Sequence, residues 1–338
     1  MKLAKATPAA IALSIGFIIL YSLLFGVKFE DVASLEVATL LASGSLVVLR
    51  LITQGIRFHI LTSGLTHRSV LSSVLARISS EFVSLTTPTF VGGEAVRIAW
   101  LKAKNVELGK AAWLVFLEIY FDVASTALVI YISTYYLVMI GEYLLALLSA
   151  LISTGTTAFF TFIFIYSRKK VICLPTWLLN SISRLLGVER GARIVRSLEQ
   201  TLLSYHNSAS SLRSVFTVKR ALGAAACTLL MILLSGAVTY FIVGGAPNLN
   251  GLLLSISGFY ISLVVGNMPI TLGGSGISEL TMKYFAANIL GLSSWAKVIA
   301  WRIVTYHLPL TICGASLAAV SYKELISKNI KSKDLNRL

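Results

Sequence analysis

Apolar residues run through this chain in long blocks rather than at the spacing of a half-buried soluble helix. Blocks at 7–27, 37–61, 109–137, 143–167, 221–243 and 297–322 are each long enough to cross a bilayer, which takes about 20 residues. Two further apolar regions, 69–101 and 250–290, are broken in the middle by proline and glycine. The first break reads Pro88-Thr-Phe-Val-Gly92-Gly93-Glu94-Ala-Val-Arg97, the second Pro269-Ile-Thr-Leu-Gly273-Gly274-Ser-Gly276-Ile-Ser-Glu279. In both, a Gly pair follows the proline by four and five residues, and the two copies stand 181 residues apart. Each arm around a break is only about 12 to 20 residues, short for a full span. The pattern therefore predicts two helical hairpins that enter the membrane, turn and leave on the same side. A broken backbone at that depth is tolerated where it is buried in protein or lines a cavity.

Composition agrees with this reading. Of 338 residues, 56% are hydrophobic and 13% charged, with mean hydropathy +0.83. Soluble domains carry roughly 25% charge, so a large soluble α domain is excluded. The expected fold is an all-α polytopic membrane protein, one domain over residues 1–338, with about six full spans and two re-entrant hairpins arranged as an inverted repeat. Residues 7–27 follow Lys2 and Lys5 and end in no small-residue cleavage site, so they read as a signal anchor and first helix. Cys173, Cys227 and Cys313 match no metal or redox spacing and read as packing residues.

Charge sets the orientation. The net charge is +15. With the N-terminus in the cytoplasm, 21 of the 29 Lys and Arg fall on cytoplasmic segments, two fall outside (Lys28 and Lys297), and six lie within hydrophobic regions. That is a strong positive-inside bias. It puts both termini of a multi-pass cell-membrane protein in the cytoplasm, along with the basic segment 168–220 and the basic tail 323–338. Residues Trp177 to Leu186 recur at helical spacing beside arginines, the pattern of an interfacial amphipathic helix. Bases that border apolar spans point to anionic lipid headgroups rather than nucleic acid. The same topology brings one hairpin in from each side, so that the breaks face each other, as in inverted-repeat transporters.

Two features carry candidate chemistry. The helices restarting at Gly92-Gly93 and Gly273-Gly274 would aim unpaired N–H groups and a positive dipole end into the protein, a site for phosphate or carboxylate. A hinge or a close helix crossing is the other reading of the same glycines. The second feature is the intramembrane charges, functional candidates because burying them is costly. Glu94 and Arg97 are three apart, and Glu279 and Lys283 four apart, so each could be a local ion pair. Glu118 and Asp122 share one helix face and need a cation, a proton or an arginine opposite. Arg50 lies deep in its span, whereas Arg57, seven residues on, is expected to snorkel to the interface. Arg302 falls in the counterpart of the span carrying Glu118 and Asp122, and a bridge between them across the halves is expected. Arg77 and Glu81, four apart, read as an ion pair bracing the first hairpin. No nucleotide-binding loop, metal cluster or nucleophile–base pair stands at a recognisable spacing, so neither enzyme activity nor a cofactor is expected.

Four stretches, Pro88…Gly92-Gly93-Glu94…Arg97, Phe116-Leu-Glu118…Asp122, Pro269…Gly273-Gly274…Gly276…Glu279 and Trp301-Arg302…Tyr306…Pro309…Gly314, resemble the lysylphosphatidylglycerol synthase transmembrane family. This is the flippase-like membrane domain of bacterial multiple peptide resistance factors. It also occurs free-standing or beside glycosyltransferases. The resemblance runs over roughly residues 8–322, with Ile119 where the family often has Arg and without the aminoacyl-transferase domain. It implies re-entrant hairpins, movement of a lipid between leaflets, and roles for Glu94, Arg97, Glu118, Asp122, Glu279 and Arg302. The expected partner is an anionic phospholipid or a polyprenyl-phosphate lipid, with a polyprenyl-phosphate sugar carrier and a membrane scaffold for a separate transferase as the other readings.

Overall fold

The computed structural model describes residues 36–66, 69–87, 92–170, 188–210, 217–244, 248–268, 271, 274–292 and 294–320, with isolated positions 16, 19 and 23. Within them the protein is all helical. In chain order the helices are α1 (Val37–Thr62), α2 (Val70–Leu85), α3 (Gly93–Lys102), α4 (Leu108–Met139), α5 (Tyr143–Lys169), α6 (Val188–Ser210), α7 (Val218–Val243), α8 (Leu249–Gly266), α9 (Ile277–Asn288) and α10 (Trp295–Val320). Six of these, α1, α4, α5, α7, α8 and α10, are long and apolar enough to cross a membrane. Five coincide with expected spans. The sixth, α8, is the first arm of the second broken region and reaches the lower edge of spanning length with 18 residues. The expected span at 7–27 apart from those three positions, Pro88, Pro269, Gly273, the stretch from Trp177 to Leu186 and the tail from 323 lie outside the described residues.

The broken regions fold by the same rules twice. Both first arms stop ahead of a proline: α2 is C-capped by Thr86 and α8 by Asn267, each two residues before Pro88 or Pro269. Proline disfavours helical backbone just before it. The chain restarts as α3 and α9, which pack back on α2 and α8 respectively. Gly93 permits the first return, because a Cβ there would lie 2.4 Å from Ser84 Oγ and 2.5 Å from the Ser80 carbonyl oxygen. The backbone atom has no way to yield. Gly93→Val is therefore expected to lower the thermal midpoint in detergent, at an overpacking cost of about 1–3 kcal/mol. Gly155→Ala, with nothing within 4 Å, should leave the midpoint unchanged or raise it.

α1 packs against α2 and α7, α4 against α5 and α6, and α7 against α8 and α10. The main core joins Val47, Ile130, Val238, Phe259, Phe285 and Trp301 from six helices. α5 turns Leu144, Leu147, Leu151, Phe159 and Phe162 outward, an apolar face suited to lipid. α6 is docked rather than free: Tyr205 and Ala209 pack on Trp113 of α4, and His206 Nδ1 lies 2.7 Å from the Ser167 carbonyl oxygen.

α10 is not uniform. Residues Ile303–His307 form a π turn in which the Leu308 N–H donates to the Ile303 carbonyl. Pro309 explains it, since proline has no N–H and its ring crowds the carbonyl four residues back. Widening the turn relieves that clash, and such turns often sit at functional sites. Here the turn carries Thr305 and Tyr306 to the wall of the central cavity.

Candidate functional site

A cavity of about 620 Å³ lies between the two halves of the chain. Its wall takes Ser84, Glu94 and Arg97 from the first hairpin, and Asn267 and Ser278 from the second. Arg50, Asp122 and Arg302 complete its charged lining together with Arg77 and Glu81. Its volume is that of a small-molecule site. Tyr306 ties the halves together beside it, its hydroxyl donating to the Leu85 carbonyl at 2.9 Å.

Glu118 is the centre of the charge network. It is fully buried, and three arginines converge on it. Arg97 Nη1 donates to Oε2 at 2.5 Å and Arg77 Nε to Oε1 at 2.8 Å. Arg57 Nη2 stands 3.6 Å from Oε1. Each arginine also holds a second acid. Arg57 grips Asp122 through two parallel hydrogen bonds of 2.6 and 2.7 Å, a bidentate geometry that is strong and directional. Arg77 donates to Glu81 at 2.5 Å and Arg97 to Glu94 at 3.0 Å. The network joins α1, α2, α3 and α4, all from the first half.

The second half has its own smaller pair. Arg302 Nε lies 3.0 Å from Glu279 Oε1, both nearly fully buried. The Arg302 guanidinium also sits 4.1 Å from the centre of the Tyr306 ring, a cation–π contact. The expected bridge from Arg302 across the halves to Glu118 and Asp122 is therefore not formed. Those acids are already taken by arginines of their own half, and Glu279 reaches Arg302 first. Lys283, the expected partner of Glu279, instead lies over the Trp295 ring at 5.6 Å.

The half-helix ends differ from expectation as well. Gly92 (φ 137°) and Gly276 (φ 91°) cap α3 and α9 in backbone conformations suited to glycine. The N–H of Gly92 donates to Glu94 Oε2 at 2.6 Å, and that of Gly276 to Glu279 Oε2 at 2.8 Å. Each helix end is thus served by its own glutamate, which an arginine then clamps. The anion at these ends is internal. Gly274 (φ 66°) packs on the Gly266 carbonyl.

Arg57 is the residue that sequence reasoning misplaced. It does not snorkel; it is 0% exposed. The signal was present, because Arg50, Gln54 and Arg57 share one face of α1, and a polar face within a span turns toward protein. Arg50 itself lines the cavity, half-buried, and forms no ion pair among the described residues.

The family described as lysylphosphatidylglycerol synthase TM region matches residues 8–314. The chain belongs to this family. It is also similar to a UPF0104 membrane protein of Archaeoglobus fulgidus, 25% identical over 295 residues, covering 82% of this chain and 84% of the relative. Apolar helices and family membership together make it a multi-pass membrane protein. For this lysylphosphatidylglycerol synthase TM region domain, the four motif stretches gain a physical sense. They hold Glu94, Arg97, Glu118, Asp122, Glu279 and Arg302, all members of the two ion-pair networks.

Proposed function

We propose that this protein moves an anionic lipid headgroup between the two leaflets of a membrane while the lipid chains stay in the bilayer. The carrying observation is Arg50, an arginine on the wall of the central cavity with no ion-pair partner among the described residues. The other lining arginines are engaged by acids. A phosphate is the natural counterion for the one that is not. In this reading both termini are cytoplasmic, the α2–α3 and α8–α9 hairpins are re-entrant from opposite faces, and the protein transforms no substrate. Family membership and the joint lining of one cavity by both hairpins support it.

Proteoliposomes that report translocation of labelled phosphatidylglycerol test the proposal. Arg50→Gln is expected to slow translocation about ten-fold or more, as for loss of a charged hydrogen bond, and Arg50→Lys to recover part of it. Folded wild-type protein that translocates no faster than protein-free vesicles overturns the reading.

A further inference from the structure

The cavity wall is selective in a way its charges alone define. Every acid on it is already held: Glu81 by Arg77, Glu94 by Arg97 and Asp122 by Arg57. An ammonium entering this space meets no uncommitted carboxylate. Among the described residues Arg50 is the lining arginine with no acid within ion-pair distance, so a negative charge can be met there without displacing an acid.

The rest of the polar wall is neutral and rich in hydrogen-bonding groups. Ser125 and Thr126 of α4 and Ser153, Thr156 and Thr157 of α5 line the same space. Two polar atoms of the wall, Asn267 Oδ1 and Thr157 Oγ1, are buried and have no hydrogen-bond partner. So is Nε of Arg97, a residue only 2% exposed. Buried polar atoms without partners are costly and call for a ligand or water to meet them. The Asn267 oxygen wants a donor and the Thr157 hydroxyl an acceptor, and ligand hydroxyls can serve as either. Tyr260 and Trp301 add flat apolar surface to the wall, which suits the C–H face of a ring.

We infer that the headgroup bound here is a neutral polyol carried on a single phosphodiester, the phosphate at Arg50 and the hydroxyls against α4, α5 and Asn267. The inference rests on the transport reading for its setting but concerns which headgroup the cavity takes. A glycerophospholipid with an inositol head and a polyprenyl monophosphate sugar share this chemistry.

Binding to the purified protein in detergent, read by native mass spectrometry, separates the possibilities. The probes are phosphatidylinositol, a polyprenyl-phosphate hexose, a polyprenyl-diphosphate hexose, phosphatidylmethanol, phosphatidylserine and an aminoacyl phosphatidylglycerol. The first or second, or both, should bind about ten-fold more tightly than the other four, and which of the two does so identifies the source. Asn267→Leu and Thr157→Val should erase most of that preference. Should a variant fail to fold, the wild-type panel still decides. Equal or tighter binding of the aminoacyl or diphosphate lipid overturns the inference. The same lipids in the vesicle assay keep the two proposals apart. Polyol preference in binding without translocation defeats the transport reading alone, and translocation without preference defeats the headgroup inference alone.

Discussion

Glu118→Gln is expected to leave little folded protein. The substitution keeps the shape of the side chain and removes one charge, but that charge faces Arg57, Arg77 and Arg97 in a site with no solvent exposure. Each arginine retains one acid, Asp122, Glu81 or Glu94, so the network does not vanish; but the three arginines lose the buried carboxylate that they share and that holds them together. Removing one partner of a buried pair typically costs about 3–5 kcal/mol, comparable to much of the stability of an ordinary domain. The measurement is the monodisperse fraction and the thermal midpoint in mild detergent. Glu107→Gln provides the contrast. Its pair with Lys110 is about half exposed on both sides, and such pairs contribute little, so the midpoint should stay where it is. A Glu118→Gln protein as stable as wild type would mean that the three arginines do not depend on this carboxylate.

How far this could be read from the sequence depends on the scale. Spans and breaks were legible because length and apolarity alone decide them: α1, α4, α5, α7 and α10 fall where the apolar blocks place them, and the two proline–glycine breaks separate α2 from α3 and α8 from α9. The shared face of Glu118 and Asp122 was legible too, along with the need for cations opposite. Which cations was not. Arg57 and Arg97 reach Glu118 from helices whose approach no spacing encodes, and the 181-residue offset misleads for Arg302. The offset aligns backbone, but charge roles are exchanged between halves. In the first half an arginine of the returning arm, Arg97, meets an acid of the next span; in the second an acid of the returning arm, Glu279, meets an arginine of the next span. The same exchange hides the state of the helix ends. A glycine cap looks like an open anion site until the glutamate two or three residues on is seen to fold back onto it.

The pair Glu279–Arg302 offers the other large effect, and it separates folding from function. Both side chains are at most 5% exposed. Glu279→Gln alone takes the paired acid from a buried guanidinium, and Arg302→Met alone takes the arginine from a buried carboxylate that keeps the Gly276 N–H. Each single change is expected to cost about 3–5 kcal/mol. The double variant should lose clearly less than the sum, with an interaction energy of about 2 kcal/mol, because both charges of the pair are removed together. Denaturation in detergent at matched lipid content measures the cycle, and additivity within about 0.5 kcal/mol would show that the pair does not operate. Translocation should follow a different order. Arg302 lines the cavity whereas Glu279 does not, so the double variant, though refolded, should stay impaired in the vesicle assay. A stabilising substitution elsewhere that rescues Glu279→Gln but not Arg302→Met would assign the arginine to the headgroup and the glutamate to holding it in place.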